Sequence, residues 1–327
     1  MDKLVENKKI LVTGGAGFIG SNLVEALLER DNIVTVLDNF ATGKRENLDP
    51  FMGNKSFTLI EGDIRDMAKC REAVAGQDFV LHEAALGSVP RSIQNPMDSV
   101  STNITGFVNM LFASHEAGVK RFVYAASSST YGDSEALPKV EHRIGKPLSP
   151  YAITKYVDEL FAENFHKIYG VNTIGLRYFN VFGRRQSPFG AYAAVIPKFV
   201  MSLMKHESPV INGDGSNSRD FTYIDNVIQA NLRALAAENP EAVNQVYNVA
   251  FGERTTLNEL FSYLREYLAE FDPEIAKIEP QYGANRAGDI PHSLASIEKA
   301  AELLGYKPGY SVKRGLKEAA QWYFNHL

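Results

Sequence analysis

Tyr151 and Lys155 stand four residues apart in Tyr151-Ala-Ile-Thr-Lys155, just after Ser149-Pro150. On a helix that spacing stacks both side chains on one face. A phenol is a poor base at neutral pH, and an ammonium one turn away favours its ionised form. Such a pair could take a proton from a hydroxyl and give it back. The same pattern also fits an ordinary amphipathic helix. A second group lies upstream. Ala126-Ser127-Ser128-Ser129-Thr130-Tyr131-Gly132 follows the apolar run Arg121–Ala125. It puts hydroxyls after a strand, where a hydrogen-bond donor to a substrate oxygen is expected. A serine-rich turn that satisfies its own backbone would look the same.

A third feature turns these residues towards redox chemistry. In Lys9–Ser21, KILVTGGAGFIGS, a strand core ends at Thr13 and four glycines follow within seven residues. An amphipathic stretch, Asn22–Arg30, comes next. Strand, tight turn and helix in that order bring bare backbone to a helix N-terminus, where unpaired N–H groups and the helix dipole favour a pyrophosphate. Gly15-x-Gly17-x-x-Gly20 fits the dinucleotide fingerprint, and Gly14-x-x-Gly17-x-x-Gly20 fits a spaced variant. A second apolar strand, Ile33–Leu37, ends at Asp38, about where a ribose-binding acid is expected. A carboxylate there repels a 2′-phosphate, so Asp38 argues for NAD over NADP, with Lys44 and Arg45 close by as a counter-argument. Asp63, after the strand Phe57–Glu61, could reach the adenine; it and Asp66 both precede the next helix and either could cap it.

The elements that must hold these groups alternate. Strands at Phe79–His82, Arg121–Ala125 and Thr173–Tyr178 join those already named, with helices at Ala68–Ala75, Met97–Ala117 and Tyr151–Tyr169 between them. This predicts an α/β fold: a Rossmann doubly wound parallel sheet with helices on both faces. After Gly183 the rhythm changes, with helices near Ala193–Lys205, Ile224–Ala237, Leu257–Ala269, Ile297–Leu304 and Val312–Phe324, and short strands at Val210–Ile211 and Tyr247–Val249. The expected division is a dinucleotide-binding domain over 1–183 and a smaller C-terminal α/β substrate domain over 184–327. The chain should cross back to the first domain around 225–250. Ligands of such sheets bind beyond the carboxyl ends of the strands, so the chemistry belongs in the loops after Ala125, Tyr178 and Gly183.

Bulk composition sets limits. The 327 residues are 45% hydrophobic and 22% charged, with net charge -5, which gives no electrostatic case for nucleic acid. The one cysteine, Cys70, excludes an internal disulfide and has no metal-ligand spacing, so no metal is expected. No apolar stretch approaches a membrane span or a signal-peptide core, and the cytoplasm is the default location.

Glycine turn, hydroxyl after a middle strand, and Tyr-x-x-x-Lys opening the next helix form a specific combination in that order. The chain resembles an extended short-chain dehydrogenase/reductase, most closely the UDP-sugar 4-epimerases, and within them the bacterial UDP-N-acetylglucosamine 4-epimerases. The resemblance runs the whole length: TGGAGFIGS, LDNFATGKREN, EGDIRD, HEAA, SSSTYG, SPYAITK, RYFNVFG, SRDFTYIDNV and RAGDIPHS. It implies that Tyr151 is the base and acid at the sugar C4 hydroxyl. Lys155 would bind the nicotinamide ribose and support the phenolate, and Ser127 would take the hydroxyl position of the triad. For NAD it implies Gly14, Gly17, Phe18, Ile19, Gly20, Asp38, Asn39, Thr42, Gly43, Asp63, Ile64, Ala84, Ala85, Asn103 and Tyr178. For the UDP-sugar it implies Ser88, Arg91, Ser128, Ser129, Asn180, Ala194, Val195, Arg219, Arg286, Asp289 and Ser293. Arginines suit a diphosphate because their fork matches its oxygens, although a lone arginine is more often in a salt bridge.

The implied reaction is redox with no net redox. The C4 hydrogen passes as hydride to a bound NAD while Tyr151 takes the hydroxyl proton; the 4-keto sugar turns over, and both return to the opposite face. Ser293 matches a position where a tyrosine restricts relatives to plain hexoses. Its small side chain, with Ala194, implies UDP-GlcNAc/UDP-GalNAc interconversion, UDP-Glc/UDP-Gal being slower. Sugar-nucleotide dehydratases need an Asp-Glu pair after the catalytic hydroxyl, where this chain has Ser128-Ser129. UDP-glucuronate-type 4-epimerases remain a rival, with Arg91 or Arg184-Arg185 available for a carboxylate. A non-catalytic NAD-sensing protein is a second, though such relatives usually lose the tyrosine or the lysine. A homodimer is implied through the helices at Met97–Ala117 and Tyr151–Tyr169, whose apolar positions fit intrachain packing equally well.

Overall fold

The computed structural model describes residues 4–189, 194–284 and 291–327. Seven parallel strands form the central sheet: β1 (Lys9–Thr13), β2 (Ile33–Asp38), β3 (Phe57–Glu61), β4 (Phe79–His82), β5 (Arg121–Ser127), β6 (Thr173–Tyr178) and β7 (Gln245–Val249). Their spatial order is β7-β6-β5-β4-β1-β2-β3, the doubly wound arrangement expected from the alternation. The topology reverses beside β1, between β2 and β4.

Side chains on these strands alternate between two cores. Ile10 and Val12 of β1 join one, with Leu23, Val24 and Leu27 of helix α1 (Phe18–Leu28). Leu11 joins the other. That second core is closed by α2 (Met67–Val74), by a helical stretch over 89–116 and by α6 (Pro150–Tyr169), through Ala73, Phe107, Met110, Ala162 and Phe165. The apolar runs are buried on both faces, which is why they read as near-continuous stretches rather than alternating ones.

The stretch over 89–116 is not one helix. It comprises α3 (Val89–Gln94), α4 (Pro96–Val100), a π turn (Ser101–Thr105) and α5 (Gly106–Glu116). The expected helix from Met97 therefore has a bulge in its first half. Ser88 and Asn95 cap the two short helices, and each has a proline in its first turn. The pattern of apolar residues could not show the bulge, because the face lost at the π turn is regained by α5.

The C-terminal residues add α7 (Val195–Met204), α8 (Ile224–Ala236), α9 (Leu257–Ala269), α10 (Glu298–Leu304) and α11 (Val312–His326). Val227 and Leu235 of α8 pack in the core that holds α1, and the same core runs on through α7, α9 and α11. β7 pairs with β6 from Gln245↔Ile174 to Val249↔Tyr178, which adds a seventh strand to the sheet. Among the described residues this part also holds three two-stranded pairs: Val181–Phe182 with Thr222–Tyr223, Ser218–Arg219 with Thr255–Thr256, and Val210–Asn212 with Gln281–Gly283. Among the described residues no helix is long and apolar enough to cross a membrane.

Candidate active site

Because the strands are parallel, their carboxyl ends share one edge of the sheet. Thr13, Asp38, His82, Ser127 and Tyr178 all end strands there. A cleft of about 790 Å3 opens over that edge. It falls within the roughly 300–1,000 Å3 range of ligand sites.

One end is the glycine turn. Helix α1 begins at its N-cap Gly17, several residues before the amphipathic pattern becomes visible. Gly14 has φ +69°, and a Cβ there would lie 2.7 Å from the Ala84 backbone nitrogen. A Cβ on Gly20 would lie 2.2 Å from the Gly14 carbonyl oxygen. Only glycine lets the turn, the strand end after β4 and the helix approach this closely. The buried Asp38 accepts from the N–H of Ala16 at 2.9 Å and from that of Phe40 at 2.8 Å, so it clamps the turn as well as lining the cleft. Burial nevertheless pushes its carboxyl up. The cations beside it are engaged: Lys44 with Glu46 at 2.8 Å, Arg45 with Glu61 at 2.6 Å. A glycine cradle that any Cβ would fill and an acid at the end of β2, with Lys44 and Arg45 beside it both paired, fit NAD and disfavour a 2′-phosphate.

Asp66, not Asp63, caps α2, accepting from the N–H groups of Ala68 and Lys69. Asp63 instead takes two bonds from the Arg65 guanidinium, at 3.0 and 2.7 Å, and one from Asn39 at 2.8 Å. These contacts, Arg65 foremost, hold its carboxyl down at about 2.

The other end holds the hydroxyls. Helix α6 starts with Ser149 as N-cap, its Oγ accepting from the Ala152 N–H at 3.1 Å, and with Pro150 in the first turn. Tyr151 and Lys155 therefore both face the cleft within the first two turns. The Tyr151 backbone N–H donates to Ser92 Oγ at 3.0 Å, which ties α6 to α3. Lys155 is buried and donates to the Ala125 carbonyl at 2.8 Å, with Asp158 Oδ2 at 3.5 Å. Burial, with Lys155 second, pushes the neighbouring His82 down to about 3, so Lys155 is not joined by an imidazolium. Ser127 ends β5 and lines the cleft. Its Oγ accepts from Ser129 N–H at 3.2 Å and from Ser129 Oγ at 2.9 Å. With both acceptor positions used, the Ser127 proton is left to donate to an oxygen in the cleft. The serine turn thus satisfies its own backbone and still presents one donor.

Of the expected residues, Gly14, Gly17, Phe18, Ile19, Gly20, Asp38, Asn39, Thr42, Gly43, Ile64, Ala84, Ala85, Arg91, Ser127, Tyr151, Lys155, Tyr178 and Asn180 line this cleft. Others stand around it. Asn103, on the π turn, accepts from Leu86 N–H at 2.8 Å and donates to Thr154 Oγ1 at 3.0 Å, so it fastens the loop after β4 to α6. Ser88 holds a positive φ of 121° and caps α3. Ser128 and Ser129 lie in the 3-10 turn after β5. Ala194 caps α7, and Val195 is its first residue. Arg219 donates to the carbonyls of Ser218 and Pro291, and Ser293 N–H donates to Ser218 O at 3.1 Å, which puts Ser293 beside Arg219. Arg286 and Asp289 lie outside the described residues. Glu83, Arg65 and Thr102 also line the cleft and were not anticipated. Glu83 follows the last residue of β4 within HEAA, so position alone could have drawn attention to it.

A Rossmann sheet carrying a dinucleotide cradle at one end of a cleft and Ser-Tyr-Lys at the other defines a nicotinamide-dependent enzyme fold. The NAD dependent epimerase/dehydratase family matches residues 10–250, and the chain belongs to it. Its cofactor is NAD. A putative UDP-glucose 4-epimerase of Methanocaldococcus jannaschii is 36% identical over 320 residues, 97% of this chain and 99% of its own length. The structure of a UDP-N-acetylglucosamine 4-epimerase from Methanobrevibacter ruminantium M1, in complex with UDP-N-acetylmuramic acid, matches with a TM-score of 0.91 at 38% identity. That match covers 99% of this chain and 100% of that one. A variant of UDP-glucuronic acid 4-epimerase from Bacillus cereus, in complex with NAD and a fluorinated UDP-glucuronic acid, matches with a TM-score of 0.86 at 29% identity. It covers 98% and 100% of the two chains.

Proposed function

We propose that this chain inverts C4 of a UDP-hexose, and that its preferred pair is UDP-GlcNAc and UDP-GalNAc. The observation that carries the reading is the convergence of Ser127, Tyr151 and Lys155 at the reaction end of the cleft. Bound NAD would accept the C4 hydrogen and return it. Tyr151 takes the C4 hydroxyl proton and later restores it, with the Lys155 charge supporting the phenolate. Ser127 donates to the same oxygen. Lys155, anchored on Ala125 O, stays where it can also hold the nicotinamide ribose. UDP must be clamped while the sugar turns. Asn180, Arg219, Arg286 and Asp289 are assigned to that clamp, with 184–327, apart from the return through 225–250, as the substrate-binding part. Proton NMR of the purified protein with UDP-GlcNAc and no added cofactor tests the whole reading. The axial C4 epimer should appear; its absence, with epimerisation of UDP-glucose instead, overturns the N-acetyl assignment.

The sugar preference rests on Ser293 as a small residue beside Arg219. Ser293→Tyr should lower kcat/KM on the acetylated pair by at least about tenfold, since a mismatch of even one methylene in a pocket is worth roughly 1–3 kcal/mol. Activity on UDP-Glc and UDP-Gal should stay within about twofold. Equal losses on both pairs would remove Ser293 as the gate.

Arg91 on the cleft wall favours a second reading, a UDP-glucuronate-type 4-epimerase. Arg184 and Arg185 are committed elsewhere: Arg184 to Asp225 at 2.7 Å, Arg185 to Glu25 at 2.8 Å. Turnover of UDP-glucuronate separates the two readings.

We also assign a homodimer. Ile93, Met97 and Val100 on α3 and α4, and Ile153, Leu160 and Ile168 on α6, are all exposed. Large apolar residues gathered on neighbouring helices mark an interaction surface. Light scattering should give twice the 36.2 kDa chain mass; a monomer at micromolar concentration refutes the assignment.

A further inference from the structure

We propose that Glu83 sets the redox preference of the cofactor site: its carboxylate, in the cleft wall, favours a positively charged nicotinamide ring over the neutral ring of the reduced form. The inference rests on the cleft being the NAD site.

Placement comes first. The Glu83 N–H donates to Thr13 O, which continues the pairing of β4 with β1 past the last strand residue. β4 lies between β1, which carries the glycine turn, and β5, which ends at Ser127. Glu83 therefore lies between the phosphate cradle and the reacting hydroxyls, on the wall of the same cleft.

Its hydrogen bonds have a direction. Asn231 Nδ2, on α8, donates to Val227 O at 2.9 Å. That carbonyl can only accept, which fixes which end of the amide faces it. The same Nδ2 then donates to the Tyr178 hydroxyl at 2.9 Å. Tyr178 has a single proton, and it goes to Glu83 Oε1 at 2.8 Å. A relay of donors running from α8 through β6 ends on a carboxylate oxygen, the arrangement an ionised Glu83 accepts best. Burial pushes this carboxyl up to about 7, against the Tyr178 bond and the Lys155 charge, so a cation arriving in the cleft strengthens its ionised form.

Lys155, the cation whose charge bears on Glu83, is itself held by Ala125 O and faces Asp158. Above about pH 7, where its test is set, Glu83 is an anion whose bonded partner, Tyr178, is neutral. A ring that is cationic when oxidised and neutral when reduced feels this charge in one state only. An epimerase that borrows and returns one hydrogen must rest with its cofactor oxidised, and a carboxylate here supports that resting state.

The test compares cofactor states in the holoenzyme. Protein is exchanged at pH 8 against an equimolar mixture of NAD+ and NADH and desalted, and the bound nucleotides are released and quantified. Glu83→Gln keeps an acceptor for Tyr178 and removes the charge. It should lower the bound NAD+ to NADH ratio about tenfold, while Glu83→Asp stays within about threefold of the wild type. Should Glu83→Gln fold poorly, Tyr178→Phe, which deletes the donor that holds the carboxylate ionised, should move the ratio in the same direction. An unchanged ratio in the folded Gln variant, or parallel loss of both nucleotides, overturns the proposal while leaving the NAD site intact. Failure of the wild type to retain either nucleotide overturns the site reading itself.

Discussion

Tyr151→Phe is expected to lower turnover by about a thousandfold or more while NAD stays bound and the melting temperature changes little. Positioned proton transfer contributes roughly 10²–10⁴-fold, and here one oxygen must serve in both directions. A thousandfold loss corresponds to about 4 kcal/mol of barrier. The substitution removes that oxygen and keeps the ring on the first turn of α6. The N-terminal architecture does not depend on the hydroxyl: Ser149 caps the helix, and Ser92 holds the Tyr151 backbone rather than its side chain. The check is epimerisation rate, with bound nucleotide quantified in parallel. A variant retaining more than about a tenth of wild-type turnover removes Tyr151 as the proton carrier. Loss of bound NAD in proportion to activity would instead make it a cofactor-binding residue.

The parts of the site that follow from local chemistry were legible in the sequence. The glycine turn, the acid after β2 and the Tyr151/Lys155 pair each depend on residues close in the chain, and the structure gathers them along one cleft. Boundaries were less visible. Helix α1 starts at Phe18 because Gly17 caps it, whereas hydrophobic periodicity becomes apparent only from Asn22. The bulge at Ser101–Thr105 was hidden for a related reason: apolar residues on either side keep helical spacing, while Asn103 uses the extra turn to reach Leu86 and Thr154. What could not be read at all are pairings across long separations. Tyr178 meets Glu83 from 95 residues away, and even at 18 residues' separation Arg177 meets Glu159 only because strand and helix are brought together. Charged residues inside apolar strands and helices carry no signal of their partner; only the folded sheet supplies it. Glu159 belongs with the functional residues that sequence reasoning missed, because it fixes the helix carrying Tyr151 and Lys155.

That role gives the largest expected effect on stability. Arg177 on β6 donates from Nε to Glu159 Oε1 at 2.8 Å and from a terminal nitrogen to Oε2 at 2.7 Å, a two-pronged pair between sheet and α6. Both residues are buried. Burial opposes the Arg177 charge, and the Glu159 contacts outweigh it, so its pKa lies above the usual arginine value. Arg177 also donates to Glu141 O at 3.0 Å and lies over the Tyr131 ring at 4.9 Å. Glu159→Leu keeps most of the volume and leaves that guanidinium buried without its counter-charge. Breaking such a pair costs about 3–5 kcal/mol. For a chain of this size a melting temperature lower by roughly 4–7 °C is expected. Arg177→Met in the same protein should restore most of the loss, since an apolar pair of similar volume is often neutral relative to a buried ion pair. Turnover should follow the same order, because Tyr151 and Lys155 ride on the helix this pair pins to the sheet. Calorimetry and epimerisation rates on the two single variants and the double variant decide it. A single variant as stable as the wild type, or a double variant no better than Glu159→Leu, would show that α6 is held by its apolar contacts alone.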